Sequence, residues 1–137
     1  MRWLAVLAIM LAPLPGAATE LVARIDLSDQ QMTVLIDGRA VHRWPVSTAR
    51  AGKVTPTGLF YVQSMKRMHY STLYNGAPMP WSLFFSGNYA IHGTDQTDRL
   101  GRPASAGCIR LHPANAKTLF DLVIEHGRSD TLIEITR

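Results

Sequence analysis

Cys108 is the chain's only cysteine, and its neighbours are the kind a nucleophilic thiol needs. It follows Gly107, precedes Ile109-Arg110, and stands sixteen positions after His92, which closes an apolar run. A free thiol is mostly protonated near neutral pH, whereas its thiolate is the nucleophile. A nearby imidazole can take that proton and later return it to a leaving amine, so the pair suits acyl transfer through an activated thiolate. Gly107 has no side chain, which lets the backbone turn sharply and aim amides at a developing oxyanion. Arg110 is placed to stabilise the thiolate or to hold a substrate carboxylate.

Each of these residues has a plainer reading. His92 is also what a hydrogen-bonded strand histidine looks like, Cys108 a packing residue, and Gly107 a turn residue. His112 competes for the role of base, but it stands beside Pro113 at a helix start and reads as surface. His92, Cys108 and His112 together make three mixed ligands for zinc, though structural zinc wants four and tighter spacings. Ser105 lacks the Gly-x-Ser-x-Gly frame of a serine nucleophile. No metal and no cofactor is expected.

The 137 residues allow one domain with a real core, and 47% hydrophobic against 18% charged is ordinary for a globular chain. Residues 1–18 read as a secretory signal peptide: Met1-Arg2 gives a positive start, twelve uncharged residues run from Trp3 to Leu14, and Pro13 to Ala18 supplies a breaker and small side chains. Cleavage is expected after Ala18, which leaves residues 19–137 as the domain, in the periplasm or otherwise exported. The other reading, a retained anchor, meets a run shorter than the ~20 residues a spanning helix needs. Removing Arg2 lowers the formal charge from +4 to +3. A mild positive balance suits an anionic wall, and no basic run with interleaved aromatics points to nucleic acid. Export also gives the solitary cysteine meaning, because thiols in an oxidising compartment usually come in pairs.

The elements that must position these residues are mostly strands. Residues 21–26 alternate, 32–36 are rich in strand formers, and Asp37-Gly38 is a strong hairpin signal before a returning strand over 41–47 that Pro45 marks as an edge or an end. His42 in that strand reads as exposed, without a local partner. Thr55-Pro56-Thr57-Gly58 is a defined turn feeding residues 59–65, the best strand by composition. Residues 66–80 read as a long polar connection, a lid or substrate-binding loop. Strands are expected over 81–85 and 88–92, a turn-rich stretch over 93–107, and a closing strand over 131–136. Apolar residues at 116, 119, 120 and 123 predict a helix begun at Pro113 and stopped by Gly127. The sum is a mainly β, single-domain protein with one or two short helices.

Thr55-Pro56-Thr57-Gly58-Leu59-Phe60, Met79-Pro80-Trp81, Ala90-Ile91-His92-Gly93-Thr94 and Ser105-Ala106-Gly107-Cys108-Ile109-Arg110-Leu111, in this order and spacing, resemble the L,D-transpeptidase (YkuD-type) catalytic domain over essentially the whole mature chain. The resemblance implies a β-sandwich or curved sheet and a cysteine enzyme acting on peptidoglycan tetrapeptide stems. Cys108 matches the nucleophile, which would attack the carbonyl of the L-centred diamino acid, release the terminal D-alanine and form a thioester. His92 matches the general base and acid. The Gly107 turn and the Ala106 backbone match the oxyanion donors, and Arg110, Trp81, Thr94 and Ser105 fall among residues that would meet substrate. The acceptor would be a second stem, an envelope protein, a free D-amino acid or water, the last making a carboxypeptidase. A monomer is expected, and carbapenems acylate the cysteine in this family. Ala106 departs from the pattern, since many members carry histidine there; its backbone amide is the same donor. Gly93 cannot orient His92 with a side chain, so a backbone carbonyl or Thr94 must fix its tautomer. The rival from another class is a catalytically silent wall-binding module with the same fold, and the intact Cys108 and His92 argue against it.

Overall fold

A computed structural model describes residues 20–137, so the proposed signal peptide and its cleavage point lie outside the described residues. Nine strands form two sheets: β1 (Leu21–Asp26), β2 (Gln31–Ile36), β3 (Arg39–Pro45), β4 (Gly58–Tyr61), β5 (Ser64–Tyr70), β6 (Pro78–Ser86), β7 (Tyr89–Gly93), β8 (Ile109–Leu111) and β9 (Thr131–Thr136). The first sheet has the order β3-β2-β1-β9-β4 and the second β5-β6-β7-β8. One helix, α1 (Pro113–His126), packs on β6, β7 and β1. The core joins residues from both sheets and the helix: Leu21, Ile25, Ile133 and Ile135 from the first sheet, Leu83, Phe85, Ile91 and Ile109 from the second, and Leu119 and Phe120 from α1.

Where a signal is local, the expected elements form. Asp37 and Gly38 both take left-handed φ, 50° and 78°, the requirement of a two-residue hairpin turn. Pro45 ends β3, an edge strand, where its missing N–H leaves no gap in a ladder. The helix buries Ala116, Leu119, Phe120 and Val123 on one face; Pro113 opens it, the His112 imidazole accepts the Ala114 amide at 3.1 Å, and Gly127 closes it at φ 92°. His112 is thus an exposed helix cap.

Three expectations are corrected. Residues 59–65 are not one strand, because the chain leaves the first sheet after Tyr61 and enters the second at Ser64. Val62 is buried at the crossing and the Gln63 amide donates to the Phe84 carbonyl at 2.8 Å, and the polar pair Gln63-Ser64 at the change of sheet is too short to read as a break. The long connection over 66–80 is mostly ladder: His69 pairs with Met79 and Tyr70 with Pro78, leaving a seven-residue turn over 71–77 between the strands. That turn is braced by Ser71, whose Oγ accepts the amides of Leu73 and Tyr74 at 3.2 and 3.0 Å. His42 has a partner after all, stacking on Trp44 with ring centroids 4.8 Å apart.

Candidate active site

The central geometric fact is a register. β7 and β8 run parallel with Ile91 opposite Ile109 and His92 opposite Arg110. Ile91, Ile109 and Leu111 are buried in the core. Side chains alternate across a strand, so Ala90, His92, Cys108 and Arg110 share the other face. There Cys108, His92 and Arg110 line one cleft of ≈ 550 Å³. His92 lies on β7 and Cys108 stands immediately before β8, and these neighbouring strands are joined by a connection of the length that parallel pairing demands.

His92 is 6% exposed, and its Nδ1 lies 2.6 Å from the Gly93 carbonyl oxygen. A carbonyl only accepts, so Nδ1 carries the proton and the Nε2 lone pair is left to act as base. The tautomer is therefore fixed by the backbone carbonyl and not by Thr94. Burial pushes the imidazole pKa down to about 4, against the Gly93 hydrogen bond, which raises it; the charges of Arg110 and His69 lower it further. Gly93 is closely packed, since a Cβ would stand 3.1 Å from both Pro113 Cα and Pro80 Cγ and these would have to give way by a few tenths of an ångström.

Cys108 is half-buried, and its Sγ donates to the Asn88 carbonyl at 3.7 Å. Burial raises its pKa above the ordinary thiol value, outweighing a backbone hydrogen bond from Ala90 and the charge of Arg110. Desolvation disfavours the charged form of both partners, upward for the thiol and downward for the imidazole. Each shift taken by itself favours the neutral form, thiol at Cys108 and neutral imidazole at His92.

The turn before Cys108 is held from several sides. Gly107 sits at φ 139°, and a Cβ there would meet Tyr89 Cε1 at 2.6 Å and the Val54 carbonyl oxygen at 2.8 Å. Ser105 is buried; its Oγ donates to the Cys108 carbonyl at 2.6 Å and accepts the Gly107 amide at 3.0 Å. Thr55 Oγ1 donates to the Gly107 carbonyl at 2.8 Å while accepting the Ala49 amide at 3.1 Å. The Ser47 and Arg110 backbones exchange bonds of 3.1 and 2.9 Å, and the Arg50 amide donates to the Ser105 carbonyl at 2.9 Å. Gln30, itself buried, donates to Thr48 Oγ1 at 2.6 Å and accepts the Thr48 amide at 2.9 Å.

Of the residues singled out in the sequence, Cys108, His92, Arg110, Thr94, Ser105 and Ala106 line the cleft together. Ser105 does so as a brace, and Thr94 is buried with its Oγ1 accepting the Gln96 amide at 3.0 Å. The Gly107 amide is committed to Ser105. Trp81 lies elsewhere: its ring meets Phe120 of α1 at 5.4 Å, and Lys117 Nζ sits 5.3 Å over it. Trp81 takes φ 56° and Ser82 Oγ donates to the Met79 carbonyl at 2.8 Å. This kink breaks the alternation of β6, so Met79 and Phe84, an odd number apart, both face the cleft while Trp81 does not. His69 also lines the cleft, within the 66–80 stretch read as a lid or substrate-binding loop, as does Arg50, which gave no local signal. Thr55 was visible only as a turn residue. Among the described residues no group of three or more His, Cys, Asp or Glu is arranged to hold a metal ion, and His112 is not part of the cleft lining.

The site is thus a thiol and a tautomer-fixed imidazole on one cleft face of a two-sheet β fold. The family model of the L,D-transpeptidase catalytic domain (YkuD) matches residues 20–132, and the chain belongs to that family. It is 27% identical over 101 residues to the putative L,D-transpeptidase YkuD of Bacillus subtilis, covering 72% of this chain and 58% of that protein. An L,D-transpeptidase from Mycobacterium smegmatis superposes with a TM-score of 0.79 at 20% identity, over 87% of this chain and 59% of that one. The LD transpeptidase LdtMt1, solved in complex with imipenem, superposes with a TM-score of 0.76 at 22% identity, over 86% and 59%. The chain thus spans less than two thirds of each of these three relatives.

Proposed function

We propose that the protein is an exported cysteine L,D-transpeptidase that acts on peptidoglycan tetrapeptide stems. The observation that carries this reading is the common face of His92 and Cys108 over one cleft, fixed by the β7–β8 register. In the first half-reaction Cys108 Sγ attacks the carbonyl of the L-centred diamino acid as His92 Nε2 accepts the thiol proton. The oxyanion falls to the amides of Cys108 and Ala106, because the Gly107 amide is donated to Ser105. The C–N bond then breaks, His92 returns the proton to the departing D-alanine amine, and a thioester remains. In the second half-reaction an acceptor amine attacks the thioester, passes its proton to His92, and the sulfur leaves and recovers that proton. Arg110, held by Gln96 Oε1 at 3.3 Å, is positioned for a substrate carboxylate. A base that is neutral at working pH supports this cycle, since no prior deprotonation of His92 is needed.

Removal of residues 1–18 on export belongs to the same reading, and N-terminal sequencing of protein recovered from the cell envelope checks it. The test of the chemistry is mass analysis after incubation with a carbapenem, the class of ligand bound by one solved neighbour. An adduct that disappears in Cys108→Ala supports the enzyme. An intact protein with no adduct favours the silent module. His92→Ala slows acylation by about 10²-fold or more.

A further inference from the structure

Gln30 closes the turn between β1 and β2 with a left-handed φ of 49°, yet it is only 4% exposed, whereas glutamines are mostly at the surface. Its carboxamide is fully engaged. Nε2 donates to the Leu27 carbonyl at 2.8 Å and to Thr48 Oγ1 at 2.6 Å, and Oε1 accepts the Thr48 amide at 2.9 Å. The Leu27 carbonyl only accepts and the Thr48 amide only donates, so the group fits one way round. Leu27 is itself tied to β9, its amide donating to the Thr136 carbonyl at 2.8 Å. Capping of its own turn accounts for the bond to Leu27 but not for the two to Thr48, which lies eighteen residues further on.

Thr48 stands where the two sheets are tied together. Its segment leaves β3 after Pro45 and crosses to the second sheet, where Ser47 bridges Arg110 of β8 and Ala49 bridges Ser105. The Thr48 amide and hydroxyl are held by Gln30, while its carbonyl accepts the amides of Ala104 and Ser105 at 3.0 and 2.9 Å. Ser105 Oγ in turn holds the Gly107 amide and the Cys108 carbonyl. An unbroken series of hydrogen bonds therefore runs from Gln30 through Thr48 and Ser105 to the backbone of Cys108, and those first three residues are all buried. Buried polar series of this kind hold one arrangement when every member is satisfied. Neither Gln30 nor Thr48 lines the cleft. We propose that Gln30 is a positioning residue for Cys108: its carboxamide fixes Thr48, and through the Thr48 carbonyl and Ser105 it sets where the sulfur stands in the cleft. This inference rests on the transpeptidase reading and makes a residue of the first sheet part of what orients the nucleophile beside the second.

The test uses the full mature chain and Gln30→Met, which matches the glutamine in length and meets the same left-handed backbone but carries no amide. Acylation by a carbapenem is followed by mass at a temperature where circular dichroism shows the variant folded, and the rate at saturation is separated from the half-saturating concentration. The variant should be acylated completely, at a saturating rate about ten- to a hundredfold below wild type, the scale of a misplaced reacting group, with the half-saturating concentration little changed. Hydrogen exchange supplies a readout that needs no activity: the Ala104 and Ser105 amides should exchange about tenfold faster or more, while the amides of β7 keep their protection. Where Gln30→Met does not fold, Thr48→Val removes the hydroxyl alone and carries both expectations as severalfold changes. A saturating rate equal to wild type, with only a lower unfolding midpoint, overturns the inference, as does exchange that rises at Thr48 and stops there. Absence of any wild-type adduct overturns the transpeptidase reading; faster exchange at Ala104 and Ser105 would then still bear out the hold of Gln30 on the turn, and unchanged exchange would overturn that as well.

Discussion

The depressed basicity of His92 makes a prediction about folding as well as about catalysis. In the unfolded chain the imidazole titrates near 6.5; in the folded protein burial holds it at about 4. Between those values the unfolded chain binds a proton that the folded protein refuses, so stability falls as pH drops through this window and levels off below about 4. With 1.36 kcal/mol per tenfold change in proton affinity, the loss is about 3 kcal/mol. Against a total of about 5–15 kcal/mol for a domain, this is a large fraction. The variant His92→Asn keeps a donor for the Gly93 carbonyl and removes the titration. Guanidinium unfolding midpoints measured for both proteins from pH 4 to pH 7.5 isolate the effect, because exposed carboxylates such as Asp26, held low by Ser28 and Asp29, titrate alike in both. Wild-type stability should fall more steeply than that of the variant across this range. Parallel curves would refute the argument that burial dominates at His92. The acid limb of acylation should likewise fall near pH 4, and a limb at the ordinary imidazole value would show His92 to be solvated.

Other outcomes follow from the turn at Cys108. Gly107→Ala places a methyl group against Tyr89 and the Val54 carbonyl at a φ that L residues avoid; we expect a loss of more than about 1 kcal/mol of stability and no carbapenem adduct, read by thermal unfolding and mass. Thr55→Val keeps the shape but strands the Gly107 carbonyl and the Ala49 amide; a loss of about 2–4 kcal/mol in chemical unfolding is expected, and wild-type stability would show that water replaces the hydroxyl. Because burial raises the Cys108 thiol pKa, alkylation by iodoacetamide should be slower at pH 7 than for free cysteine and should accelerate as pH rises beyond the free-thiol range.

The parts legible in the sequence were those whose signal is short-range. Asp37-Gly38 and the Pro113 to Gly127 helix frame are written within a few residues, and the strand that ends at His92 was legible from its apolar run. The common face of His92 and Cys108 follows from the parallel pairing of β7 and β8, which only the structure gives, and the family resemblance pointed to the same two residues. Three things were hidden for identifiable reasons. β5 sits at the edge of its sheet with exposed residues on most positions, so its polar composition mimics a loop. In residues 59–65 the strand formers stop at Val62, and the polar pair Gln63-Ser64 at the passage between sheets is too short to read as a break. Trp81 fell with the site motifs by spacing, but a left-handed residue inside a strand reverses the faces, and no single-residue preference foretells that for tryptophan. The raised thiol pKa was missed because burial is a property of the whole fold, whereas Arg110, which favours the thiolate, is visible two positions away.

The same contrast explains why the Thr-Pro-Thr-Gly turn and the cysteine turn belong to one device. A loop over 93–107 left to itself would sample many conformations, at about 1–2 kcal/mol per residue to order it. Here much of that ordering comes from outside the loop: Thr48 O accepts the amides of Ala104 and Ser105 at 3.0 and 2.9 Å, Arg50 bonds Ser105, and Thr55 holds the Gly107 carbonyl. Each such bond contributes only about 1 kcal/mol net, so no one of them fixes the turn. Together they set the Cys108 sulfur and its amide before any substrate arrives, and the ordering is complete on folding instead of being drawn from binding. Under the proposed function Thr55 acts through Gly107 without touching the reacting atoms, which makes it a positioning residue. Its loss should lower the acylation rate at saturating carbapenem more than it weakens the initial encounter, since the cleft walls that receive the ligand remain while the sulfur and oxyanion amide lose their register.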